Sequence, residues 1–112
     1  MNKKFDIEES SGNIFKDLGF ENADEMHIKS SLAITVLQTI KIRQLTQEQT
    51  AELLGTHRTH LSRLNNGVDI DNMSIDLLMS WVIKLGGNVT IKVKSPPKVY
   101  EHSGKMRIAI TD

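Results

Sequence analysis

Residues 45–67, LTQEQTAELLGTHRTHLSRLNNG, constrain this chain more than any other stretch. Thr46 followed three residues later by Gln49 is the capping-box pattern that opens a helix, with each side chain satisfying a backbone N–H that the helix itself leaves orphaned. Gly55 can take a positive φ and so closes that helix. A second helix is expected over residues 58–65, ending before Gly67. Ala51 on the first helix and Leu61 and Leu64 on the second are spaced to pack against one another. Two short helices joined by a tight turn form the unit whose second helix can enter the major groove of duplex DNA.

The flanking segments read as further helices and then as strands. Asn22 with Glu25 three residues on forms another capping box, and acids in a first turn suit the helix dipole. Ala33, Val36, Leu37 and Ile40 follow the i, i+3, i+4, i+7 spacing of one buried helical face, predicting a helix to about residue 43. Residues 69–72 read as a polar loop. Ser74 is expected to cap a fourth helix with Leu78, Trp81, Val82 and Leu85 on its apolar face, ended by Gly86-Gly87. The period then changes from helical to alternating. Val89, Ile91 and Val93 alternate with Thr90, Lys92 and Lys94, and Met106, Ile108 and Ile110 with Arg107, Ala109 and Thr111, predicting two half-buried strands around Pro96-Pro97. A lone hairpin is marginal in water, so such strands must pack on the helices or pair across a dimer. The expected fold is mainly α, a bundle of four to five short helices followed by one or two C-terminal β-strands. Its expected parts are an acidic arm over residues 1–21, a helical domain over 22–87 and a strand region over 88–112.

Composition excludes several alternatives. A 112-residue chain suits one domain, and 38% hydrophobic with only 4% aromatic residues requires an aliphatic core. With no Cys, disulfides and thiolate metal sites are excluded. Lys3 and Lys4 lead into an acidic run rather than an apolar one, and no apolar stretch approaches the ~18 residues of a membrane span, so a soluble cytoplasmic protein is expected. The net charge is zero, but unevenly distributed. Residues 1–26 set three Lys against seven acids, net −4, whereas residues 27–67 set Lys29, Lys41, Arg43, Arg58 and Arg63 against Glu48 and Glu52, net +3. An acidic arm on a basic unit hides nucleic-acid affinity in the bulk charge.

Within the two-helix unit the candidate base-reading residues are His57, Arg58, Thr59, His60, Ser62 and Arg63. They begin or follow the start of the second helix, the part that meets base edges. An arginine can bond guanine O6 and N7 together, and Thr59 can exchange hydrogen bonds or touch a thymine methyl. The plainer reading of each arginine is a solvated surface residue. Thr46 and Gln47, at the start of the preceding helix, can offer backbone N–H groups to a phosphate, with Lys41, Arg43 and Asn66 as further phosphate contacts. His57 and His60 provide only two metal ligands, too few for a site, so no metal or cofactor is expected. No nucleophile elbow or phosphate-cradling Gly-rich loop is present, and an enzyme is not expected.

LTQEQTAELLG followed by RTHLSRLNNG resembles the XRE (lambda-repressor-like) helix-turn-helix family over about residues 29–86. Thr50 departs from the pattern, which usually has an apolar residue there, and weaker packing of its helix is expected. SSGNIFKDLGFENADEM and GGNVTIKV extend the resemblance to HigA-type antitoxins and their small XRE relatives, over most of residues 10–94. That resemblance implies a dimeric repressor of its own operon that binds a palindromic operator and neutralises a small basic RelE/HigB-like mRNA interferase. It implies that Ile14, Phe15, Leu18 and Phe20 in the arm contact the toxin and that Val89, Ile91 and Val93 dimerise. Residues 96–112 exceed that pattern and carry no assignment. Two other readings stand beside it: a stand-alone XRE-type regulator with no toxin, and a protein-interaction module that no longer binds DNA.

Overall fold

A computed structural model describes residues 23–111. The expected Asn22 cap and the arm lie outside the described residues. The element order is α1 (Ala23–Ile42), α2 (Gln47–Leu54), α3 (Arg58–Asn65), a 3-10 turn (Ile70–Asn72) where the sequence suggested a plain loop, and α4 (Ile75–Lys84). α1 has Asp24 and Glu25 in its first turn and Lys41 in its last, both suited to its dipole. Ile28, Leu32, Ala33 and Val36 are buried along one stripe, with Leu37 and Ile40 partly buried beyond them. Against this stripe lies α4, opened by Ser74, whose Oγ accepts from the Leu77 backbone N–H at 3.0 Å. Its own buried positions, Leu78 and Trp81, continue into Leu85. Gly86 has φ 100 and Gly87 passes so close to Val82 that an added Cβ would lie 2.7 Å from Val82 Cγ1. The Gly-Gly pair thus lets the chain turn tightly off the helix.

The core is aliphatic around one indole. Trp81, Leu54, Leu64, Leu78 and Val36 are fully buried, one or more from each α-helix. Thr50 is buried with them. Its hydroxyl donates to the Thr46 carbonyl at 2.8 Å, so the polar atom is satisfied within its own helix and only the methyl faces the core.

Two lysines tie the elements together through their ammonium groups. Lys29, only 6% exposed, donates to the Asp71 carbonyl at 2.8 Å and pairs with Glu25 Oε2 at 3.0 Å. A buried ammonium needs such partners. The pairing holds the 3-10 turn on α1 and withdraws Lys29 from the basic surface the sequence placed it on. Lys84 Nζ donates to the Leu54 carbonyl at 3.0 Å, satisfying a C-terminal acceptor of α2 from α4.

The C-terminal region departs from expectation. Residues 88–111 contain no strand in the isolated chain. Among the described residues no backbone–backbone hydrogen bond reaches beyond Gly87. Residues 87–97 and 103–111 run unbent on either side of bends at Lys98, Val99 and His102. The alternating pattern is real, but alternation specifies a face, and a strand also needs a neighbour to accept its ladder. The returning run is anchored instead at the start of α1, where the Met106 N–H donates to Asp24 Oδ2 at 3.2 Å and Ile108 packs on the core.

Candidate nucleic-acid interface

The two-helix unit is built as its sequence spells it. Thr46 Oγ1 accepts from Gln49 N–H at 3.0 Å while Gln49 Oε1 accepts from Thr46 N–H at 2.9 Å. The reciprocal pair leaves the N–H groups of Gln47 and Glu48 at the helix mouth, facing outward on exposed residues. Gly55 adopts φ 66, ψ 37, a left-handed conformation that lets its N–H close α2 and the chain reverse into α3. His57 takes an extended backbone at the N-cap of α3 and makes no side-chain capping bond. Its imidazole is thus at the free, electropositive end of the helix.

α3 divides cleanly. Leu61 and Leu64 are buried, while His57, Arg58, Thr59, Ser62 and Arg63 are exposed. Five of the six expected base readers therefore share the outer surface of α3 and its cap. The sixth is corrected. His60 is half-buried, its Nδ1 lies 3.1 Å from Thr56 Oγ1, and its ring meets the edge of Trp81 with centroids 6.1 Å apart at 77°. It lies one residue before Leu61, on the flank of the buried stripe, so α3 turns it toward α4. His60 and Trp81 seat the helix; the sequence pattern treats one as a reader and the other as mere core, because their meeting is set by how α4 crosses α3.

The remaining expected contacts are surface residues. Lys41 and Arg43, at the end of α1, and Gln47 and Asn66 are all exposed. The Arg43 guanidinium lies over Gly86, 3.7 Å from where a Cβ would stand. Arg63 pairs with Asp69 Oδ2 at 3.4 Å, with both side chains about half exposed, whereas Arg58 has no ion-pair partner among the described residues. The two arginines are thus unequal: Arg63 must exchange a weak surface pair for any new contact, and Arg58 gives up only water. Of the residues expected to dimerise, Val89 is half-buried, and Ile91 and Val93 are 71% and 83% exposed. Ile14, Phe15, Leu18 and Phe20 lie outside the described residues. Among the described residues, no three His, Asp or Glu side chains gather as a metal site, and no helix is long and apolar enough to cross a membrane.

A family model described as a helix-turn-helix domain matches residues 14–94, most of the chain. The chain belongs to this helix-turn-helix family. A solved structure assigned to the XRE family of transcriptional regulators is similar at a TM-score of 0.65 and 25% identity, over 81% of this chain and 98% of that one. No curated protein sequence matches. For a helix-turn-helix protein of this kind, α2 and α3 are the two helices of the motif, and α1 and α4 are the scaffold that presents them.

Proposed function

We propose that the protein is a sequence-specific DNA-binding transcriptional repressor of the XRE type, acting as a homodimer, with α3 as the helix that enters the major groove. One observation carries the reading: α3 presents Arg58, Thr59, Ser62 and Arg63 outward from a helix seated by buried Leu61 and Leu64. His57 at its free N-terminus joins them. Gln47, Thr46, Lys41, Arg43 and Asn66 flank this face as phosphate contacts, fixing register without reading sequence.

Dimerisation through residues 89–93 is supported by the unpaired backbone of that run. Its N–H and C=O groups form an open edge, and Ile91 and Val93 expose apolar side chains beside it. Antiparallel pairing with the same run of a second copy satisfies both at once. Two α3 helices about 34 Å apart then read half-sites one helical turn apart. Selection of binding sites from a pool of random duplexes is expected to return an inverted repeat with that spacing. Enrichment of a single half-site would remove the dimer, and no enrichment would leave the protein-interaction module.

The finer part of the proposal is an antitoxin role. It is supported by the likeness to HigA-type antitoxins, by the five acids within residues 1–21, and by a family match that begins at residue 14, within the arm. Ile14, Phe15, Leu18 and Phe20 would anchor the arm on a small basic RelE/HigB-like mRNA interferase while the acids complement its charge. Co-expression with the small reading frame beside its gene should give a stable complex that restores growth, and deletion of residues 1–21 should abolish the rescue while leaving DNA binding intact. No complex and no toxicity would leave the stand-alone regulator.

A further inference from the structure

The C-terminal run beyond α4 has no role in DNA reading or dimerisation except at residues 89–93, yet it is the most basic part of the chain. Residues 88–111 set Lys92, Lys94, Lys98, Lys105 and Arg107 against Glu101 alone. All five cations are exposed. Lys92, Lys94, Lys98 and Arg107 have neither an ion pair nor a hydrogen bond among the described residues. Cations scattered on a surface are usually solvated and idle; here they are concentrated, four of them without a partner among the described residues, on a segment fixed at both ends. One end is Gly86, under the Arg43 guanidinium. The other is the contact of Met106 with Asp24.

We propose that residues 88–111 form a basic strap that contacts the DNA phosphates outside the segment read by α3. The inference rests on the DNA-binding reading and adds a second contact region to it. The strap leaves the bundle beside Arg43, itself assigned to a phosphate, so its root already lies near the backbone of a bound duplex. From there residues 87–97, free of bends, span at most roughly 35 Å when fully extended, about the length of one helical turn of DNA. In such a run alternate side chains share a side, about 7 Å apart. Paired as the strand that dimerisation requires, the run would set Lys92 and Lys94 on one side at twice the rise between phosphates of one strand, and Ile91 and Val93 on the other, toward a second copy. One segment can therefore pair through its edge and apolar side and still present its cations. Tethering adds to the effect, because once α3 is bound the strap meets the duplex as an intramolecular partner.

Each phosphate neutralised releases condensed counterions, so the strap must show in the salt dependence of binding. The test is the full-length chain carrying Lys92→Gln, Lys94→Gln, Lys98→Gln and Arg107→Gln together, titrated on a mixed-sequence 30-base-pair duplex and on a duplex selected from the random pool, over a range of salt. Removing these four cations is expected to flatten the slope of log K against log salt by about 3 to 4 per bound protomer on both duplexes, at about 0.9 per phosphate. The affinity ratio between the two duplexes should stay the same, since phosphates carry no sequence information. An unchanged slope in the folded variant, checked by circular dichroism, overturns the strap while leaving α3 as the reader. Failure of the unaltered chain to bind either duplex at low salt overturns both. The substituted side chains are exposed, so loss of folding is not expected to obscure the result.

Discussion

Trp81→Ala is expected to lower stability by about 3–5 kcal/mol, the cost of an unfilled aromatic site in a close-packed core. Trp81 is 1% exposed and is the only tryptophan in the chain. Its neighbours cannot collapse into the gap cheaply, because Leu54, Leu64, Leu78 and Val36 come from four different helices, whose positions are each set by other contacts. Single domains are stable by only about 5–15 kcal/mol, so the variant forfeits a large part of the total. A thermal melt should show the midpoint falling by roughly 15 °C or more. The loss has a functional side, because the His60 ring rests against the indole. Removing it frees one flank of α3, so DNA affinity should fall even at temperatures where the variant is folded. Trp81→Phe keeps an aromatic surface and should recover most of both properties. A Trp81→Ala midpoint within about 3 °C of the unaltered chain would contradict the packing described here.

The second large effect is on recognition. Arg58→Ala with Arg63→Ala should remove sequence-specific binding, at about 1–3 kcal/mol for each arginine–base interaction. The pair together amounts to a loss of roughly 30-fold to 20,000-fold on a selected site. Residual binding to unrelated duplex should persist at low salt, since Lys41, Arg43 and the helix α2 N-terminus are untouched. The two single variants should differ. Arg58 has no ion-pair partner to give up, while Arg63 already holds Asp69 at 3.4 Å, so Arg58→Ala should cost more. Both positions are exposed, and their replacement should leave the melting midpoint within a few degrees. A double variant that retains the preference of the unaltered chain for its selected site over unrelated duplex would show that α3 does not read it.

Much of the helical scaffold is legible from local chemistry. The Thr46–Gln49 box, the left-handed Gly55, the Ser74 cap and the Gly86-Gly87 exit each depend on a few consecutive residues, and the backbone follows them closely. The exposed positions of α3 follow from a helical period of 3.6 once Leu61 and Leu64 are assigned inward. Where the reading failed, the deciding partner is distant in sequence. Lys29 reads as surface charge until the Asp71 carbonyl, 42 residues away, takes its ammonium. His60 reads as a base contact until Trp81 is brought beneath it. Thr50 is the local exception: it reads as a packing defect, although its hydroxyl finds an acceptor one turn back in its own helix.

The C-terminal run shows the limit of periodicity most plainly. Alternation at residues 89–93 and 106–110 describes two faces, but the ladder that makes a strand comes from another stretch of backbone, and no backbone–backbone bond among the described residues provides it. By itself, then, the sequence determined the helices, their caps and the inward and outward sides of α3, because these are set by residues within one or two turns of each other. The tertiary structure alone decided which polar side chains are withdrawn from the surface, which ring supports the reading helix and which cations are left unpaired along the strap. Those outcomes depend on helix crossings, which bring together groups that no local pattern relates.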